Sequence, residues 1–111
     1  MSRMLEEIAA QLASGYPGED SSAIAAEFAE VLRIVLPALT KRAVTARHQV
    51  DGSVDDVWKA IRGDAEASFR AALNRVSRVK VLHVASKFMN NKTIGTMITQ
   101  AALTLAAGRE V

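Results

Sequence analysis

The sequence predicts an all-α fold: a compact bundle of four or five helices, the second of them kinked at Pro37. Three observations carry that expectation. Each long stretch of the chain repeats its apolar residues at the helical period and not at the alternation of a strand. Twenty of the 111 residues are alanines, the best helix former, whose small side chain lets helices approach closely. Only "VKVLHV", residues 79–84, has the β-branched density of a strand, and no second convincing strand exists to pair with it.

The first helix is expected from Arg3 to about Ser14. Ser2 can cap it, Leu5, Ile8, Ala9 and Leu12 recur on one side, and Gly15 can end it. "SGYPGEDSS" then reads as a turn in which Asp20 and Ser21 offer N-caps. A second helix starts near Ser22 and aligns Ile24, Phe28, Val31, Leu32 and Val35. Pro37 lacks an N–H and clashes with the preceding turn, so it should kink that helix or start a new one. The pattern resumes through "ALTKRAVTARHQV" and stops at Asp51-Gly52.

Ser53 with Asp56 three residues on resembles a capping box and announces a third helix. Val54, Val57, Trp58 and Ile61 would be its buried side, and Gly63 its end. Asp64 can cap a fourth helix through Phe69, Leu73 and Val76. After Val76 the stripe breaks: Lys80 would fall on the apolar face, while Val81, Val84, Ala85 and Phe88 define a different side. A last helix, Thr93 to Ala107, follows the Asn90-Asn91 turn and closes at Gly108, with Ile94, Met97, Ile98, Ala101, Ala102 and Leu105 on one face. The length fits one helical domain spanning 1–111.

Composition narrows the chemistry. There is no cysteine, which excludes disulfides and thiol catalysis. The N-terminus lacks an apolar core of signal-peptide length, and the longest uncharged stretch, Thr93 to Gly108, is too short and too polar to span a bilayer. A cytoplasmic location with no membrane contact is expected. "DGSVDD" places Asp51, Ser53 and Asp55 like the first ligands of a calcium loop. Asp56 then stands where the loop's glycine belongs and Arg62 where its twelfth ligand belongs, so a turn and helix cap is the better reading. His48 and His83 lie far apart and lack nearby ligand partners. With no nucleophile elbow and no Gly-rich phosphate loop, the expectation is no catalytic residue, no metal and no cofactor.

The charge distribution is the sharpest functional signal. Net charge is +2, yet residues 1–40 hold two bases and six acids, whereas residues 67–111 hold seven bases and one acid. "NRVSRVKVLHVASKFMNNK", residues 74–92, contains five bases and no acid. Such asymmetry points one end of the molecule at an anionic partner. Arg70, Arg75, Arg78, Lys80 and Lys87 are the candidate phosphate contacts, and Lys41, Arg42 and Arg47 would join them if the helices bearing the two groups pack together. Aromatic residues are not interleaved with the bases, so backbone contact is expected and base stacking is not. The competing reading is a solvated face whose charges pair with Glu27, Glu30 or Asp64 of adjacent helices.

The expected function is therefore a non-catalytic small helical subunit of a nucleoprotein assembly, its partners a DNA or RNA backbone and other protein subunits. The alternative is a protein–protein interaction, regulatory or oligomeric assembly module with no nucleic-acid contact. In either case Trp58, Met97 and Ile98 are candidate interface residues. Trp58 is an aromatic anchor, and the terminal helix has small residues and no charge on its polar face. A homo-oligomer is compatible with both.

Overall fold

Local signals set where each helix begins and ends. The structure, a computed structural model, describes residues 3–15, 21–50, 52–76, 91–109 and 111, and among these every regular element is an α-helix. Helix α1 is Arg3–Ala13, with Leu5, Ile8, Ala9, Leu12 and Ala13 buried along one side. The Ser14 and Gly15 amides close its last turn by donating to the carbonyls of Ala10 and Leu12.

Helix α2, Ser21–Val50, neither ends nor restarts at Pro37. A mid-helix proline costs roughly 3 kcal/mol, but the residues around it are worth more. Val35, Leu36 and Leu39 are each no more than 1% exposed, and each full burial contributes about 1.5–3 kcal/mol. Pro37 and Arg33 both lie on the exposed side, so water can satisfy the Arg33 carbonyl that the proline leaves without its helical donor.

At the turn after α2, a side chain on Gly52 would displace the carboxylate that caps α3. A Cβ on Gly52 would fall 2.5 Å from the Asp56 carboxylate and 3.3 Å from the Val50 carbonyl. That carboxylate makes the expected capping box: the Ser53 amide and hydroxyl donate to Asp56 Oδ2 at 3.3 and 3.2 Å, and the Asp56 amide returns to Ser53 Oγ at 3.4 Å.

Helix α3 then runs unbroken over Val54–Val76, which corrects the expectation of two helices divided at Gly63 and Asp64. Gly63 costs about 1 kcal/mol relative to alanine in a helix interior. Burial of Ile61, Ala65 and Phe69 on either side of it outweighs that cost. Asp64 caps nothing and instead pairs across to α2.

Helix α4 is Lys92–Ala106. The Asn91 side chain accepts from the Thr93 and Ile94 amides at 3.0 and 3.2 Å. Gly108, with φ +80°, closes the C-terminal end: its own amide reaches the Leu105 carbonyl at 2.9 Å and the Arg109 amide reaches Thr104 at 3.1 Å. This is the paired hydrogen-bond pattern of a Schellman motif, which needs a left-handed residue that glycine adopts without strain. "VKVLHV" and the stripe through Val81, Val84, Ala85 and Phe88 lie outside the described residues.

Cross-contacts fix the arrangement. Arg42 meets Ala60 and Asp64, and Phe28 meets Phe69 with ring centroids 6.0 Å apart, so α2 and α3 are antiparallel. Asp55 pairs with Lys92 and Trp58 packs on Gly95, so α4 runs parallel to α3 and antiparallel to α2. Beyond the end of α4, the Val111 carbonyl accepts from the Leu5 amide in the first turn of α1. The core is continuous through the four helices, and nine of the 27 buried hydrophobic residues among the described ones are alanines, which lets the helices meet closely. The one buried polar side chain among the described residues, Thr99, donates to the Gly95 carbonyl at 2.9 Å. Among the described residues no helix is long and apolar enough to cross a membrane.

Candidate interaction surfaces

Five of the eight candidate phosphate contacts fall on described residues: Lys41, Arg42 and Arg47 on α2, Arg70 and Arg75 on α3. Arg78, Lys80 and Lys87 lie outside them. Arg42 is committed to the fold. Its Nε donates to Asp64 Oδ2 at 3.0 Å and its terminal nitrogen to the Ala60 carbonyl at 3.4 Å, tying α2 to α3. Arg70 reaches back one turn to Glu66 at 2.8 Å. The Arg42–Asp64 pair joins adjacent helices through one of the acids that the solvated-face reading named, whereas Glu66 lies on the same helix as Arg70 and is not one of them.

Lys41, Arg47 and Arg75 are exposed and take no acid partner among the described residues. They do not converge. In the antiparallel α2–α3 pair, Arg42 stands level with Ala60 and Asp64, so Arg47 lies level with the first turns of α3, while Arg75 occupies its last turn. At 1.5 Å per residue that is a separation of roughly 25 Å along the axes. Arg47 and Arg75 each sit in the last turn of a helix, where the macrodipole favours a cation whatever else the residue does.

The three interface candidates are placed by packing. Trp58 is 3% exposed, its indole lying so close over Gly95 that a Cβ there would overlap the ring. Ile98 is fully buried and Met97 partly buried at the edge of the same core. Among the described residues no group of histidine and acidic side chains is arranged to hold a metal ion.

A surface that charge-counting overlooked lies between α1 and α2. Ala9, Ala25, Ala26 and Ala29 floor a cleft of about 380 Å³, with Ser22 at one end and Glu6, Glu30 and Arg33 around its rim. The three charged rim residues are exposed, and none has an ion-pair partner among the described residues. Ile34, 40% exposed, stands one turn beyond Glu30. The signal was present in the sequence as "AIAAEFAE", small residues at successive turns beside acids. It passes unnoticed when alanine is read only as a helix former.

The fold and these surfaces define an all-helical bundle protein with a small-residue cleft between α1 and α2. No family model, no curated protein and no solved structure matches the chain.

Proposed function

We propose that this chain is a non-catalytic small subunit of a cytoplasmic nucleoprotein assembly, a bundle of four or five helices that contacts a DNA or RNA backbone through its basic second half. The observation that carries this reading is the run of seven bases and no acid over residues 67–109. Pairing of Arg42 and Arg70 narrows the contact set to Arg75, Arg78, Lys80 and Lys87, with Lys41 and Arg47 as a separate outlying group. A bend at Pro37 belongs to the same proposal, because it would set the angle between the acid-bearing first half of α2 and its base-bearing second half.

Replacing Arg75, Arg78, Lys80 and Lys87 by alanine is expected to weaken binding to unrelated nucleic-acid sequences alike. The salt dependence should flatten by roughly 0.7 units of log–log slope per lost contact on single strands, or 0.9 on B-DNA. A parent protein with no affinity for DNA or RNA at low salt, where electrostatic attraction is least screened, overturns the proposal.

The second reading, an assembly module without nucleic acid, is favoured by a different observation. The α1–α2 cleft has an alanine floor, and its rim residues Glu6, Glu30 and Arg33 have no ion-pair partner among the described residues.

A further inference from the structure

We propose that the α1–α2 cleft is a homodimer interface, in which two copies of this chain meet face to face with Arg33 of each opposite Glu6 or Glu30 of the other. The proposal rests on the assembly reading and is independent of phosphate binding, since none of these three residues belongs to the basic run.

The cleft floor is built of methyl groups. Ala9 and Ala29 are buried, Ala25 is half-buried and Ala26 is exposed. A floor of this kind admits a second helix to the short interaxial distances that only small side chains permit. It does not suit a small molecule. Ligand sites converge a few partly buried polar groups on an enclosed apolar pocket, whereas Glu6, Ser22, Glu30 and Arg33 are all exposed around this one.

The rim identifies the occupant. A patch that binds a basic or an acidic protein would carry one sign of charge. This one carries both, and Arg33 makes no ion pair with Glu30, although a separation of three residues on a helix allows one. A patch holding both signs, with no ion pair for either among the described residues, can set opposite charges against a copy of itself under a two-fold rotation. Two-fold contacts are the commonest way identical chains associate. Ile34, the more exposed of the two large hydrophobic residues at the surface among the described residues, stands one turn beyond Glu30 and adds apolar area to the contact.

The test uses the full chain, freed of nucleic acid, in sedimentation-velocity dilution series. The parent is expected to show a monomer–dimer equilibrium. Arg33→Glu makes the rim wholly acidic and should raise the dimer dissociation constant about tenfold or more. Glu6→Arg with Glu30→Arg makes it wholly basic and should do the same. An equimolar mixture of the two variants should form a heterodimer, because each now complements the other. Should a swap fail to fold, Ala26→Cys provides the only thiol in the chain, and a short bismaleimide should join two copies there while Gly63→Cys, on the exposed side of α3, stays uncrosslinked. A parent that is monomeric at every concentration overturns the proposal, as does a dimer indifferent to both swaps. A monomer that is still retained by other protein subunits overturns it too, while leaving the assembly reading intact.

Discussion

Gly63 and Gly95 both sit inside helices, and a helix-interior glycine costs about 1 kcal/mol relative to alanine wherever it lies. Their surroundings give them opposite roles. A Cβ on Gly63 meets nothing within 4 Å, so Gly63→Ala should raise stability by about 1 kcal/mol in a denaturant melt. A Cβ on Gly95 overlaps the Trp58 indole. Gly95→Ala should therefore destabilise by about 1–3 kcal/mol despite its better helix propensity, since overpacking forces the ring or the backbone to move. Trp58→Ala should cost about 3–5 kcal/mol, as expected for an indole buried in one core. The double variant should fall short of the sum of the two singles, because the clash exists only while the indole is present. Additive effects would place the ring away from Gly95. Stability that barely moves on Trp58→Ala while self-association fails would make Trp58 an interface anchor instead.

The long helices α2 and α3 each carry a residue that local rules read as a terminator, and each continues through it. Packing decides this: the buried residues around Pro37 and Gly63 contribute more than the one residue's propensity removes. Pro37→Ala tests the balance on α2. It restores a backbone donor at an exposed position, so the variant should be more stable by up to about 3 kcal/mol. A loss of stability would mean that the proline's geometry is itself required for α2 to fit its neighbours. The Arg42–Asp64 pair between these helices is worth less than its geometry suggests. With side chains 39% and 59% exposed, it should contribute about 1 kcal/mol or below, and a double-mutant cycle on the two residues measures it directly.

The whole molecule has a Cα radius of gyration of 13.2 Å, the value expected of a compact domain of 111 residues. Small-angle scattering of the most dilute samples should approach that size, allowing for hydration, and should rise with concentration if copies pair across the α1–α2 cleft. Charge is unevenly distributed at this scale too. Among the described residues the acids divide between α1 with the first half of α2 (Glu6, Glu7, Glu27, Glu30) and α3 (Asp55, Asp56, Asp64, Glu66), while Lys41, Arg47 and Arg75 stand at separate places on the α2–α3 pair. The described surface thus presents no single basic platform. A phosphate-binding function must draw on Arg78, Lys80 and Lys87, and the four-residue alanine variant reports on that segment.

Four of the helix-end signals were legible in the sequence, because each is a local event. Asn91 before α4, Gly108 after it, the Ser53–Asp56 box before α3 and Gly15 after α1 involve residues within a few positions of one another. The apolar stripes were legible for the same reason, since helical periodicity alone selects Leu5, Ile8 and Leu12, or Ile94, Ile98 and Ala101, as one face. What local rules could not decide was every question in which distant residues compete with local preference. Whether Pro37 and Gly63 end a helix depends on burial that other helices supply. Whether Gly95 is dispensable depends on an indole 37 positions away. Whether Arg42 is a ligand-seeking cation or a structural one depends on Asp64, 22 positions on. The sequence determined the helices and their inward faces. Only the tertiary structure determined which glycine carries a contact, which arginine is already engaged, and that the alanines of α1 and α2 enclose a cleft, because these properties arise from distances between residues far apart in the chain.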